Sequence, residues 1–172
     1  AFISAPDYET KTSYTATVSA SDGVNTTTQD ITVNVTNVNE APVFTSSATF
    51  SADENQTAID TITATDVEDD NVTFTVSGSE LAITSAGVLT FVSAPDFETK
   101  ATYTATLTAS DGTNITTQDI TVNVSNINEN PIIIGLDETL SIEENLLEIA
   151  QVQASDPEGD TITYSISGSE IN

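Results

Sequence analysis

Acidic and amide side chains return at a few recurrent places in the chain, and every one of them offers an oxygen atom. A glutamate followed by asparagine occurs at Glu54 and again at Glu144. Two Asp-x-Glu pairs begin at Asp7 and at Asp96. The chain has no histidine and no cysteine, which leaves neither imidazole nor thiolate as a ligand. Oxygen ligands in such number favour calcium over zinc, copper or iron, so the residue types predict calcium binding.

These residues recur because the chain is built from a repeating unit. The segment Ala5–Glu9 returns 89 positions later as Ala94–Glu98, with one aromatic residue exchanged for another. The opposite half of the unit repeats as well, with one inserted residue. A fixed period makes the repeat the unit of folding. Residues 41–129 are predicted to form one complete unit, which follows the back half of a unit (1–40) and precedes the front half of another (130–172).

Apolar and polar residues alternate along the unit, and no helical period is present. Tyr103, Ala105 and Leu107, for example, alternate with threonines, as in a strand with one buried face. Seven short strands are predicted in the complete unit, near residues 43–52, 57–65, 71–77, 81–84, 88–92, 101–109 and 115–125. The pattern predicts an all-β protein of tandem seven-stranded Greek-key β-sandwich modules, immunoglobulin-like in shape and joined end to end.

The charge of the chain restricts its partners. The formal charge is −25, from 27 acidic and two basic residues. Nucleic acid and anionic lipid surfaces are excluded because binding to phosphates needs lysine and arginine. No run approaches the roughly 18 apolar residues of a membrane span, so no membrane insertion is expected. The acids stand between well-patterned apolar segments, which favours cation binding over disorder.

Taken together, the motifs resemble tandem cadherin-type repeats of the kind found in large bacterial secreted or surface adhesins. The residues that carry the resemblance are Glu54-Asn55, Asp7-Tyr8-Glu9, Asp96-Phe97-Glu98, Asn37–Phe44, Asp66-Val67-Glu68, Asp156-Pro157-Glu158, Ser21-Asp22-Gly23 and Ser110-Asp111-Gly112. The linker departs from the family pattern because Asn37 and Asn126 stand where aspartate is usual, and because it is one residue shorter. The Asp-x-Asp motif has become Asp-x-Glu, which lengthens one ligand arm.

The resemblance implies calcium ions held at the joints between neighbouring units. For the first joint it implies the ligands Asp7, Glu9, Asn37, Asn39, Glu40, Asp66, Glu68 and Asp111. For the second joint it implies Glu54, Asp96, Glu98, Asn126, Asn128, Glu129, Asp156 and Glu158. Each joint lacks one ligand type, a glutamate in the first and a turn aspartate in the second. Residues of those types, Glu144 and Asp22, stand in the two partial units and complete the set of implied ligands.

The resemblance implies a calcium-rigidified extracellular segment of an adhesin or surface stalk, which mediates or extends cell adhesion and is not an enzyme. Its expected partners are neighbouring repeats of the same protein. Two other functions stay open at this stage. One is a self-assembling filament subunit whose half-repeats complement each other head to tail. The other is a recognition module for a surface glycan, a protein ligand or another copy of the chain.

The two partial units leave a structural alternative open as well. A half-sandwich exposes open strand edges and an uncovered apolar face, which is costly in water. Residues 130–172 of one chain could complete residues 1–40 of another chain. Alternatively, the chain is a fragment of a larger secreted protein in which each unit continues.

Overall fold

The computed structural model describes residues 1–168 of the chain. Within that range the protein consists of strands, turns and loops, and no helix of a length and hydropathy that could cross a membrane is present. The strands are β1 (Ser13–Ser21), β2 (Thr26–Asn34), β3 (Val43–Phe44), β4 (Thr49–Asp53), β5 (Ala58–Thr61), β6 (Ala64–Thr65), β7 (Thr73–Val76), β8 (Leu81–Ile83), β9 (Val88–Phe91), β10 (Thr102–Ser110), β11 (Ile115–Ser125), β12 (Ile132–Ile134) and β13 (Gln153–Ser155).

The complete repeat is a β-sandwich, as the alternation predicts. One sheet has the strand order β4-β11-β10-β7, and the other has the order β5-β9-β8, with the short pair β3–β6 beside it. Strand β4 runs parallel to β11, and the other pairs in the repeat are antiparallel. The connections β7–β8 and β9–β10 pass from one sheet to the other. The predicted all-β sandwich of immunoglobulin-like shape is therefore confirmed.

Two of the seven predicted strands are interrupted. The strand predicted at 43–52 divides into β3 and β4, because the chain leaves its pairing with β6 and joins β11 in the other sheet. The strand predicted at 57–65 divides into β5 and β6 at Ile62, whose backbone N–H donates to the carbonyl of Gly87 at 2.8 Å. Gly87 has a φ of +92°, and a Cβ at this position would overlap the Ile62 carbonyl. Alternation alone carries no information on these breaks, since they depend on which distant strand is the partner.

The core of the complete repeat lies between the two sheets. Leu107 and Val122 are fully buried, and Ile62, Leu89 and Ile120 are nearly so. These side chains come from both sheets and belong to one continuous apolar cluster. The threonines between them face outward or lie part-way to the surface, which is the arrangement that a period of two produces. The core thus holds the two ends of the sandwich, where the acidic motifs lie, at a defined separation.

The two partial repeats form only those strand pairs that lie within one half. The hairpin β1–β2 has the same register as β10–β11, with Ser13 opposite Asn34 as Thr102 is opposite Asn123. The pair β12–β13 corresponds in the same way to β3–β6. The segments 139–143, 148–151 and 163–166, which correspond to β4, β5 and β7, are not strands.

The reason for these missing strands is the location of their partners. In the complete repeat, β4 pairs with β11, β5 with β9, and β7 with β10. All three partners belong to the back half of the unit, which residues 130–168 do not contain. An isolated segment without a partner leaves its backbone groups bonded to water, and a strand does not form.

Candidate metal centres between the repeats

Four glutamates meet at the joint between the complete repeat and the front half that follows it. Glu54 stands after β4, Glu98 after β9, Glu129 in the linker and Glu158 after β13. One carboxylate oxygen from each lies within 4.8 Å of those from the others. Four separate chain segments therefore deliver negative charge to one small volume, which we call the four-glutamate cluster.

Glu54 is the buried anchor of this cluster. Its exposed fraction is only 3 %. One carboxylate oxygen accepts the backbone N–H of Phe97 and the other accepts that of Ile127, each at 2.8 Å. A buried carboxylate needs such donors because removal from water without partners is costly. Glu54 thereby fastens both the loop after β9 and the linker to the end of β4.

Asparagine amides surround the four-glutamate cluster as donors. The side-chain nitrogen of Asn126 donates to Glu98 at 2.9 Å, and that of Asn55 donates to Glu129. Asn128 donates to the backbone carbonyl of Glu129 at 3.0 Å. An aspartate in place of these asparagines has no N–H to donate. Asn126 of the linker and Asn55 after β4 therefore orient carboxylates of the cluster, a role other than that of a metal ligand.

The joint between the preceding back half (1–40) and the complete repeat holds a three-glutamate cluster. Glu9, Glu40 and Glu68 each place a carboxylate oxygen within 4.8 Å of the other two. Glu9 and Glu40 border a cavity of about 460 Å³ whose lining also includes Asp7 and Asp66. The position that Glu54 occupies in the four-glutamate cluster belongs to the front half of a unit. Residues 1–40 are a back half and therefore contain no counterpart of Glu54.

The first joint also contains a polar contact that crosses from the linker to the repeat. The side-chain nitrogen of Asn39 donates to a carboxylate oxygen of Asp111 at 2.7 Å, and that of Asn114 donates to the Asn39 carbonyl at 2.7 Å. Asp111 also accepts the backbone N–H groups of Thr113 and Asn114, each at 2.6 Å. The turn after β10 is thus bound to the linker by hydrogen bonds.

Several oxygens at both joints are buried without a donor. Within residues 1–168 they are one oxygen each of Asp66, Glu129 and Glu158 and both oxygens of Glu68. Leaving buried charged acceptors unpaired costs free energy, and so does holding like charges a few ångströms apart. An oxygen-coordinating cation removes both costs, and an all-oxygen donor set of carboxylates matches the preference of calcium. The residues present therefore fit calcium.

The crowding of carboxylates changes their acidity. A carboxyl that keeps its proton can donate it to a neighbouring carboxylate, which favours the neutral form. Such a bond from Glu40 to Glu68 is the largest cause of the raised pKa of Glu40, followed by partial removal from water and repulsion from Glu68, Glu9 and Asp7. At the other joint, partial removal from water is the largest cause of the raised pKa of Glu158, followed by the same kind of bond with Glu129. Both shifts have the sign that a shortage of positive charge produces.

We expect the metal-free protein to be more stable at mildly acidic pH than at neutral pH. A carboxyl with a raised pKa binds its proton more tightly in the folded state. Its contribution to the free energy of unfolding is complete below the ordinary glutamate pKa of about 4.3. That contribution is lost as the pH rises through the raised pKa of the folded state. In chelator, the melting temperature should fall as the pH is raised from about 5 to about 7, a change that circular dichroism follows.

The double variant Glu40→Gln, Glu158→Gln is the control for this pH dependence, because it removes both titrating groups and should flatten the profile. Calcium should flatten it as well, since metal ligation favours the ionised carboxylate. A metal-free melting temperature that climbs with pH over this interval would contradict the expectation.

Several residues that the resemblance implies as ligands lie outside the two glutamate clusters. Asp7 and Asp96 each accept the backbone N–H and the hydroxyl of the threonine three residues later. The Thr10 hydroxyl and N–H lower the pKa of Asp7 accordingly. Asp156 accepts the N–H of Asp160 at 3.0 Å, so it shapes its own loop. These aspartates organise the loops that carry the glutamates.

The turn aspartates of the two back halves differ in their surroundings. For Asp111, partial burial works against ionisation, but the N–H groups of Asn114 and Thr113 outweigh it and lower the pKa. The N–H groups of Asn25 and Val24 lower the pKa of Asp22 in the same way. Asp22, Asn37 and Glu144 are exposed, and none of the three belongs to either glutamate cluster.

Two further functional residues, Asn55 and Asn114, are absent from the ligand sets that the sequence suggested. Each has a repeat counterpart, Asn145 and Asn25, which is the signal that could have identified them. Asn55 and Asn145 also share a left-handed backbone, with φ of 62° and 67°. Asparagine tolerates this conformation better than most residues, so it can turn the chain and donate to a carboxylate at one position.

The architecture has clear counterparts among solved structures. No protein-family model and no curated protein sequence matches the chain. The EC3-6 cis-dimer of protocadherin gammaB7 matches over 88 % of this chain at 22 % identity and a TM-score of 0.54. The extracellular domain of protocadherin GammaB4 matches over 90 % at 25 % identity and 0.54, and human protocadherin-24 EC1-2 over 69 % at 24 % identity and 0.51. The chain shares its fold with the extracellular repeats of cadherins.

This chain matches only part of each of these solved structures. The chain covers 45 % of the gammaB7 structure, 28 % of the GammaB4 structure and 61 % of the protocadherin-24 structure. The cadherin-type fold explains why the acidic motifs lie at module ends. In this fold the end of β4, the loop after β9 and the linker converge on the same pole of the sandwich.

Proposed function

We propose that this protein is a calcium-stiffened extracellular repeat segment that extends or mediates cell adhesion. The observation that carries the proposal is the four-glutamate cluster with its buried oxygens that lack donors. Three of its carboxylates belong to the complete repeat and its linker, and Glu158 belongs to the following unit. A cation held by this cluster therefore joins two modules.

The arrangement supports a mechanical role. Without a cation, two like charges about 4 Å apart repel by roughly 1 kcal/mol in water and about 4 kcal/mol at an effective dielectric near 20. Repulsion between Glu129 and Glu158 pushes the following unit away from the linker. When bound, calcium supplies positive charge, which cancels this repulsion. It also supplies coordination that ligands on both sides of the joint share. Glu54 and the asparagine amides hold the remaining carboxylates in place, so the joint is stiff only in its loaded state.

An extracellular location agrees with this mechanism. Extracellular calcium modules bind with dissociation constants of roughly 10⁻⁴–10⁻³ M, which suits a calcium-rich medium. The motif resemblance supports a bacterial surface adhesin as the setting, with neighbouring repeats as the first partners. The proposal assigns no catalytic activity, because the carboxylates serve a joint between modules.

Self-association is a second candidate function, and it has a specific observation in its favour. Apolar positions that are buried in the complete repeat are exposed in both partial repeats, for example Val33 at 40 % against Val122 at 0 %. The matched structure of protocadherin gammaB7 is a cis-dimer. A filament of head-to-tail copies would cover these faces.

Calorimetric titration with calcium tests the main proposal. We expect heat of binding for the wild-type chain and a loss of affinity of at least about tenfold for Glu158→Gln, as removal of a charged partner in a metal site usually causes. Glutamine keeps the oxygen that accepts the Glu129 N–H, so the change removes charge with little change of shape. Glu138→Gln is the matched control, because Glu138 is exposed and belongs to neither cluster. Equal binding by both variants, or no binding by the wild type, would refute the proposal.

A further inference from the structure

We infer that the four-glutamate cluster takes a single calcium ion, held by Glu129 and Glu158, and that the side-chain amides of Asn55 and Asn126 stand where a second cation would otherwise be needed. The inference rests on the proposed calcium function and deepens it, since it sets the number of ions in this cluster. Three observations carry it: the partners of Glu54, the amide donors of the cluster, and the location of the buried oxygens that lack donors.

Glu54 is already balanced by backbone donors. Its two carboxylate oxygens accept the N–H groups of Phe97 and Ile127, each at 2.8 Å, and its side chain is buried. Charge-assisted hydrogen bonds of this kind stabilise an ionised carboxylate without a metal ion. Both donors belong to the backbone, so they cannot rotate away as a side-chain donor can. Glu54 therefore supports the cluster without requiring a cation of its own.

Asparagine amides provide donors for two further glutamates of the cluster. The side-chain nitrogen of Asn126 donates to Glu98 at 2.9 Å, and that of Asn55 donates to Glu129. An amide nitrogen carries two hydrogens with partial positive charge and no negative charge of its own. A second cation beside Glu98 would have to displace the Asn126 hydrogen bond and would gain no carboxylate in exchange. The amides thus occupy the approach to these oxygens.

The buried oxygens without donors lie elsewhere in the cluster. Within the described residues of the second joint they are one oxygen of Glu129 and one of Glu158. The other oxygen of Glu129 accepts the Asn55 amide, and the other oxygen of Glu158 accepts the Glu129 N–H at 3.3 Å. Glu129 belongs to the linker and Glu158 to the following unit. The shortage of positive charge is therefore confined to one pair of carboxylates, which spans the joint.

The two joints together show that the chain ends do not cause this shortage. In the first joint the following unit is complete, and Glu68, the counterpart of Glu158, still has two buried oxygens without donors. In the second joint the preceding unit is complete, and Glu158 itself still lacks a donor for one oxygen. A complete neighbour on either side therefore does not supply the missing partner.

The charges of the pair agree with one divalent ion. Glu129 and Glu158 carry two negative charges when both are ionised, and a calcium ion carries two positive charges. The other two glutamates of the cluster, Glu54 and Glu98, accept hydrogen bonds instead. The cluster is thus divided into a cation-binding pair across the joint and a hydrogen-bonded pair on the complete repeat.

Equilibrium dialysis with radioactive calcium counts the ions. The measurement uses saturating calcium and about 0.15 M KCl, which screens diffuse attraction by the net charge of the chain. The double variant Glu129→Gln, Glu158→Gln removes both charges of the pair and should bind one ion fewer per chain than the wild type. The control Glu138→Gln, Glu143→Gln carries the same change of net charge at exposed positions outside both clusters and should bind as many ions as the wild type.

The role of the amides is tested by the double variant Asn55→Asp, Asn126→Asp. It replaces two donors by two carboxylates, and aspartate also tolerates the left-handed backbone of Asn55. We expect this variant to bind one more calcium ion per chain than the wild type. In chelator its melting temperature should be lower than that of the wild type, because the new carboxylates repel Glu129 and Glu98.

The control for this variant is Gln29→Glu, Asn71→Asp, which adds the same charge at exposed positions outside both clusters. It should bind as many ions as the wild type. Far-UV circular dichroism in calcium checks that each variant is folded. The count from the glutamate variant is independent of the asparagine variant, so the number of ions is measured even if the latter does not fold.

The outcomes separate this inference from the proposed function. A wild-type chain that binds calcium, with a loss of no ion or of two or more ions in Glu129→Gln, Glu158→Gln, would overturn the single-ion cluster. An asparagine variant that binds the same number of ions as the wild type, even if more tightly, would overturn the role of the amides. A wild-type chain that takes up no calcium would instead refute the proposed function itself.

Discussion

Removal of calcium is expected to lower the melting temperature of the protein by about 5–20 °C and to broaden its small-angle scattering profile. A ligand present at 10–100 times its dissociation constant stabilises the folded state by roughly 1.4–2.7 kcal/mol. Each kcal/mol corresponds to about 4–8 °C for a domain of this size. The scattering changes because the repulsion between Glu129 and Glu158 then acts without compensation and the joint bends.

This experiment needs dilute protein and two comparisons. Dilution keeps chains apart, so that scattering reports the stiffness of single molecules rather than their association. Magnesium at the same concentration controls for ionic strength, and it should restore less stability because it prefers few protein ligands and retains its waters. Glu158→Gln in calcium should approach the metal-free wild type. Identical melting and scattering with and without chelator would contradict the stiffening mechanism.

The substitution Ile120→Ala is expected to destabilise the complete repeat strongly, whereas the same substitution at the repeat-equivalent Ile31 is not. Ile120 is 2 % exposed and Ile31 is 37 % exposed. Truncation of a buried isoleucine to alanine costs about 2–5 kcal/mol, since it removes apolar contacts and leaves a cavity. The melting temperature of the Ile120→Ala variant should therefore fall by about 10 °C or more.

The pair Ile120 and Ile31 is a matched comparison, because residue type, strand and neighbouring sequence are shared and only the packing differs. Thermal denaturation in dilute solution measures both variants. An equal loss of stability at the two sites would contradict the expectation, because it would mean that Ile31 is packed as tightly as Ile120.

Much of the fold was predictable from local patterns. The alternation of Tyr103, Ala105 and Leu107 with threonines predicted a half-buried strand, and β10 has that arrangement. The prediction was correct because alternation depends only on the burial of one face of the strand, and not on which strand is its partner. The division of the strands predicted at 43–52 and 57–65 was not predictable. This division depends on which strand of which sheet pairs with each segment, and the local sequence carries no information on that partner.

The candidate site was predictable in composition and less so in geometry. Recurrence placed Glu9, Glu98 and Glu129 among the expected ligands, and the structure brings them into the two clusters. Recurrence also marked Asp7 and Asp96, whose carboxylates accept hydrogen bonds from nearby threonines and lie outside the two clusters. Both groups are carboxylates that recur with the same period, so the sequence could not separate them. Calcium itself stays a prediction, which the titrations above address.

The sequence by itself determined the repeating unit, the two-faced strands and a ligand inventory made only of oxygen. These follow from residue type and spacing, which are local properties. Only the tertiary structure decided that Glu54 is buried beneath two backbone N–H groups and that Asn126 faces Glu98 as a donor. Those contacts join segments that are 28 or more positions apart, so their geometry exists only once the sandwich has brought the segments to one pole.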